Sequence, residues 1–122
     1  MINTIKELLG HTLINVEVNS DGNEILFTRE DGIRYRMYHR QDCCEDVAIE
    51  DVCGDWHDLI GSPLLEAEEA TSDDMLNWLE HITWTFYKFA TIKGSVTIRW
   101  HGISNGYYSQ RVDFECLDEV EC

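Results

Sequence analysis

The chain predicts a β-rich α+β domain, a mostly antiparallel sheet or partly open barrel carrying one to three short helices. Three observations lead there. Apolar residues recur at alternate positions through most of the sequence, as in "EILFTR" and "SVTIRW", which is the period of a strand with one buried face. Turn-forming clusters such as "NSDGN" and "EDG" separate these runs at hairpin spacing. Helical signals are confined to stretches of a few residues.

Taken in order, Asn3 or Thr4 caps a short helix, "IKELL", which Gly10 closes. "TLINVEV", "EILFTR" and "IRYRMYH" follow as a meander joined by the two turns above. "QDCCE" leads into a further strand, "DVAIEDV", and "GDWHDLIGSP" reads as one turn of helix stopped by Gly61 and Pro63. "LLEAEEA" is another strand. "TSDDMLNWLEHI" breaks the alternation: Ser72 is placed to cap a short helix with Met75, Leu76 and Leu79 on one side, or residues 71–81 form a mobile insertion between strands. "TWTFYKFAT", "SVTIRW" and "YYSQRVDFEC" close the chain as three strands. No repeat, low-complexity tract or linker divides residues 1–122, so a single domain is expected.

A chain of 122 residues is long enough to bury about two-thirds of its unfolded surface without disulfides. No apolar run approaches the ~18 residues of a membrane span. "MINTIKELLG" lacks the basic region and apolar core of a secretory signal. The expectation is therefore a cytoplasmic protein with reduced thiols, despite five cysteines. The net charge of −15 argues against nucleic acid or a membrane as partner, because both are polyanions. It leaves open a basic protein, to which the chain would present a nucleic-acid-like surface. The charge is unevenly spread. From Ile82 to Val112 there is no Asp or Glu, while Lys88, Lys93, Arg99 and Arg111 lie there, leaving −19 for the rest of the chain.

His39, Cys43, Cys44, Cys53 and His57 include enough ligand types for zinc. The spacing differs from the usual pairs two to four residues apart, and adjacent cysteines on a strand point to opposite faces. The interspersed acids lack the regular order of a calcium loop. The cysteines are expected to be small buried packing residues, with metal binding and redox chemistry as the alternatives. No metal site and no cofactor is expected.

"QDCCEDVAIED", "GDWHDLIGSP", "WTFYKFATIKGSVTIRW" and "SNGYYS" resemble an uncharacterised family of small tailed-phage and prophage proteins marked by an Asp-Cys-Cys segment. The likeness runs from Met37 onward, apart from "TSDDMLNWLEH". It implies a phage accessory protein in a bacterial host cell and brings no catalytic residues with it. Small phage proteins of this kind are often counter-defence factors, and by analogy the Thoeris anti-defence sponges bind nucleotide signals.

Pattern alone registers the last three strands. Val96, Ile98 and Trp100 share one face of "SVTIRW", and Thr97, Arg99 and His101 the other. A loop from Gly102 to Gly106 keeps the apolar set of "YYSQRVDFEC" on the core side, leaving Tyr107, Ser109 and Arg111 opposite. A turn at Lys93-Gly94 sets Lys88 opposite Arg99 and Phe86 opposite His101. The result is a row of Lys88, Arg99 and Ser109 with Arg111 diagonal, beside a row of Phe86, His101 and Tyr107 with Trp84 beyond. Gly102, Asn105 and Gly106 form a rim.

Two explanations fit cations set side by side. Acids of a neighbouring strand such as "LLEAEEA" neutralise them, or an anionic ligand binds on Lys88, Arg99, Arg111 and Asn105 with a base stacked on Phe86, His101 or Tyr107. The sequence contains no Gly-rich phosphate loop, G-x-S-x-G or H-E-x-x-H, so no enzyme is expected. The leading expectation is a non-catalytic counter-defence protein, as a homo-oligomer, that sequesters a small anionic, nucleotide-derived signal. The alternative is an acidic DNA-mimic inhibitor of a host nuclease, restriction or CRISPR effector, carried by "QDCCEDVAIEDVCGDWHD" and "EAEEATSDD". A virion assembly role is a third.

Overall fold

Alternation in the sequence becomes two sheets. The computed structural model describes residues 4–41, 44–77, 80–105 and 109–118. Its strands are β1 (Leu13–Val18), β2 (Glu24–Arg29), β3 (Arg34–Tyr38), β4 (Asp46–Cys53), β5 (Glu66–Asn77), β6 (Glu80–Thr91), β7 (Gly94–Ser104) and β8 (Asp113–Cys116). Two 3₁₀ turns, Ile5–Leu8 and Trp56–Leu59, are the helical elements among the described residues. One sheet has the order β1-β2-β3-β8 and the other β4-β7-β6-β5, with every strand pair antiparallel. No barrel closes, and the expected β-rich, mostly antiparallel architecture is what forms.

The two sheets bury their apolar faces against each other. Ile25 and Phe27 from β2 and Tyr35 and Met37 from β3 face Phe89, Val96, Ile98 and Trp100 from β6 and β7, all between 0 and 1% exposed. The Phe27 and Phe89 rings lie 5.6 Å apart across the interface. Phe114 of β8 stacks on Tyr35 at 5.1 Å. The Trp100 indole N–H donates to Met37 Sδ at 3.3 Å, so its one polar atom is satisfied inside the core. Each such fully buried side chain contributes about 1.5–3 kcal/mol from water exclusion.

The 3₁₀ turns close the ends of this core. Asp55 caps the second by accepting from the His57 N–H at 3.0 Å, and its Leu59 is fully buried. The Thr91 hydroxyl donates to the Asp58 carbonyl and accepts from the Lys93 N–H at 3.1 Å. These bonds tie the turn between β6 and β7 to the second 3₁₀ turn.

Four expectations are corrected. "TSDDMLN" is neither a helix nor an insertion outside the sheet: β5 continues through it to Asn77 and pairs with β6, with Ser72 opposite Trp84 and Met75 opposite His81, while Leu79 lies outside the described residues. Ladder hydrogen bonds to β6 outweigh a weak helical spacing of three apolar residues. The β6–β7 turn is Ile92-Lys93, flanked by the pair Thr91–Gly94, so Lys88 faces Thr97, Phe86 faces Arg99 and Trp84 faces His101. The slip is two residues, which exchanges partners but leaves each side chain on its assigned face. The closing strand β8 joins β3 in the other sheet, with Met37 opposite Phe114. β7 takes β4 as its second neighbour instead. Finally, Cys44 and Cys116 each take part in a disulfide, and Cys53 is a free thiol but exposed, so none of the three is a reduced, buried packing residue. Spacing along a chain does not reveal which thiols the fold brings within bonding reach.

Candidate functional site

The outward face of β6 and β7 collects most of the residues that sequence patterning singles out. Even-numbered positions of β6 and odd-numbered positions of β7 point away from the core, bringing Trp84, Phe86 and Lys88 beside His101, Arg99 and Thr97. The Trp84 and His101 rings lie 4.5 Å apart and tilted by 56°. The Arg99 guanidinium stands over Trp84 at 5.2 Å from the ring centre, within cation–π range. Arg99 Nε is shielded from solvent without a hydrogen-bond partner among the described residues. Trp84, Phe86, Arg99 and His101 are half-exposed, and none belongs to the core cluster.

Carboxylates border this face on both sides. On β4 a bulge at Glu50 sets Asp51 opposite Arg99, and Glu50 lies 3.9 Å from the Arg99 guanidinium. On β5, Glu68 faces Lys88 across the ladder, and Glu66 lies 3.7 Å from the Lys88 ammonium. Lys6 reaches Glu68 at 3.4 Å from the first 3₁₀ turn. These are exposed pairs, worth little in stability, yet each answers a cation that would otherwise face an incoming anion.

Lys88, Arg99, Phe86 and His101 therefore share one face, as the alternation requires. Arg111 does not join them: it lies in the segment entering β8 and pairs with Asp113 at 3.3 Å. Asn105 follows the end of β7, six residues and about 20 Å of extended chain beyond Arg99. Tyr107 lies outside the described residues. Two features escape pattern reading. Trp84, assigned to the end of the row, is its aromatic centre, touching both His101 and Arg99. The Glu50 bulge, which adds a second acid beside Arg99, has no signature in "DVAIEDV".

The cysteine and histidine set separates. The His39 ring sits between the Glu45 carboxylate at 3.2 Å and the Arg111 carbonyl at 2.6 Å, holding the chain after β3 against the segment before β8. Cys53, at the end of β4, donates to Asp51 at 3.4 Å. That bond and the negative charge of Asp51 raise the thiol pKa and keep it a poor nucleophile. His57 is exposed on the second 3₁₀ turn beside Asp55. Cys43 lies outside the described residues. Among those described, no three acidic, histidine or cysteine side chains gather as metal ligands would.

Chemically, the outward face offers π surfaces at its centre and carboxylates at its rim. That combination attracts cationic side chains and offers an approaching phosphate little that is free. Residues 6–114 match a family described as a domain of unknown function, DUF7448, and the chain belongs to that family. No curated protein and no solved structure matches it.

Proposed function

We propose that this DUF7448 protein is a non-catalytic interaction module whose outward β6–β7 face docks a basic protein surface. The carrying observation is the Trp84, Phe86 and His101 cluster, half-exposed and bordered by Glu50 and Asp51 on one side and Glu66 and Glu68 on the other. Aromatic side chains centred in a charged rim are the composition of an interface that buries its middle and steers its partner electrostatically. The net charge of −15 extends that steering over the whole molecule. In the phage setting that the sequence resemblance implies, the basic partner is a host nucleic-acid-binding effector, and occupying its nucleic-acid surface is the mode of action.

Sequestration of a small anion is the less supported reading. It needs Lys88, Arg99 and Arg111 to converge with spare charge. Arg111 belongs to a different sheet's approach, and each of the three has a carboxylate within 4 Å.

The test couples capture to mapping. Wild-type protein and the Trp84→Ala variant are immobilised in bacterial lysate, with a photo-crosslinker at position 86. The expected result is a protein of high isoelectric point crosslinked at that position, retained when purified, and lost with Trp84→Ala while circular dichroism is unchanged. Crosslinks absent from position 86, or equal retention by Trp84→Ala, would overturn the reading.

A further inference from the structure

Past Tyr87 the inward side of the β5–β6 hairpin changes character. Phe89 and Tyr87 belong to the core. The next inward positions toward the hairpin tip are Thr85 and Thr83, facing Thr71 and Asp73 across the ladder. A cleft of about 580 Å³ opens there, walled by Glu69, Thr71 and Asp73 from β5, Thr83 and Thr85 from β6, and the segment entering β8. That volume is typical of small-molecule sites. Apolar side chains remain at its edge, in Ile5, Ile82, Val112 and Phe114.

The donors of the cleft are already committed. The Tyr87 hydroxyl donates to Glu69 at 3.3 Å. Its burial, reinforced by the Glu69 carboxylate, pushes the phenol far above its ordinary pKa, so the proton stays in place. The Thr83 hydroxyl donates to Asp73 at 2.8 Å. Both hydrogens of the Gln110 amide are used, one on the His81 carbonyl at 2.9 Å and one on the Ser104 hydroxyl at 2.7 Å. Arg111 is paired with Asp113. The lone pairs of these hydroxyls and the free oxygens of the carboxylates remain. The acids Glu69, Asp73 and Asp113 outnumber the single cation Arg111 among the lining residues.

A separate observation marks the floor. Thr85 is only 4% exposed and lines the cleft, and its hydroxyl is in none of the side-chain hydrogen bonds described above. Arg99 Nε is the described side-chain atom that is both shielded and unpartnered, so the Thr85 oxygen is open to the cleft, where a ligand donor meets it as an acceptor.

We propose that this cleft binds a small organic cation bearing primary amine or guanidinium groups. An ammonium brings three donors and no acceptor, which complements a wall of acceptors, whereas phosphate brings negative charge against carboxylates. Glu69 and Asp73, four residues apart on one face of β5, span about 13 Å, so a linear compound with two or more nitrogens reaches both. The site is independent of the docking face: the two lie on opposite sides of the same strands.

Calorimetric titration with spermidine, agmatine and inorganic phosphate, at ~150 mM salt to screen general attraction to an acidic protein, tests it. One saturable site per chain is expected for at least one of the two cations, and none for phosphate. Asp73→Asn should weaken binding at least about tenfold and Thr85→Val several-fold, with Glu17→Gln on β1 and Trp84→Ala as unaffected controls. Asp73 is exposed, so its variant folds and isolates the charge. No saturable cation binding, phosphate binding in its place, or affinity untouched by both cleft variants would each overturn the proposal.

Discussion

Replacing Trp100 and Trp84 with alanine removes the same side chain from opposite faces of one sheet, and the two losses should differ severalfold. Trp100 is 0% exposed and its indole donates to Met37. Truncation removes that burial, leaves a cavity between the sheets and costs about 3–5 kcal/mol. A domain of this size has roughly 6–18 kcal/mol of stability in all, at ~0.05–0.15 kcal/mol per residue. With a urea dependence near ~2 kcal/mol per molar, the midpoint falls by about 2 M. Trp84 loses one ring contact with His101 and one cation–π contact with Arg99, together about 1–2 kcal/mol, and the midpoint moves by less than ~1 M. Urea unfolding followed by far-ultraviolet circular dichroism reads both without interference from the remaining tryptophans. If Trp100→Ala does not fold, Trp100→Phe gives the same ordering at smaller amplitude. Equal losses at the two positions would refute the two-sheet packing, because the outward face would then be as buried as the core.

Acid should weaken the protein through the β2–β3 turn. Burial opposes ionisation of Asp31, but hydrogen bonds from the Arg29 guanidinium and the Ile33 N–H outweigh it and hold the carboxyl below its ordinary pKa. A lowered folded pKa means stability that is complete above the unfolded value and lost as pH falls through the folded one, so the loss appears below about pH 4. Asp31→Asn should flatten the dependence of the urea midpoint between pH 5 and 2, assuming these bounds of about three units around the carboxylate range. An unchanged slope contradicts the pairing. Gly54 has φ +119°, and a Cβ there would lie 2.5 Å from the Ser95 carbonyl oxygen. Gly54→Ala should therefore cost more than about 1 kcal/mol in chemical unfolding, and a neutral result would show that the β4 end lies differently. Alkylation without reductant should label Cys53 and spare Cys44 and Cys116 until dithiothreitol is added. Labelling of Cys44 or Cys116 in the unreduced protein contradicts their bonding.

Face assignments were legible in the sequence because they depend only on parity. Val96, Ile98 and Trp100 alternate with Thr97, Arg99 and His101, and no register slip of two residues changes that. Partners were less legible. The Ile92-Lys93 turn competes with Lys93-Gly94 on turn chemistry alone, and the deciding bonds come from Thr91 and Asp58, which are distant in sequence. The sheet that β8 joins is a non-local choice. Phe114 fits the apolar alternation of either sheet, and the stack on Tyr35 decides it. The polar cleft was hidden by its own composition: "LLEAEEA" reads as one more strand and "TSDD" as the start of a short helix or insertion, and only the length of the hairpin past the core reveals that one side of it lines a cavity.

The docking claim is tested most directly by the indole resonances of ¹⁵N-labelled protein titrated with the captured basic partner. Trp84, half-exposed on the outward face, should shift or broaden in proportion to complex formed, while Trp100, bonded to Met37 in the core, stays in place. A Trp84 indole unmoved at saturation would contradict the account.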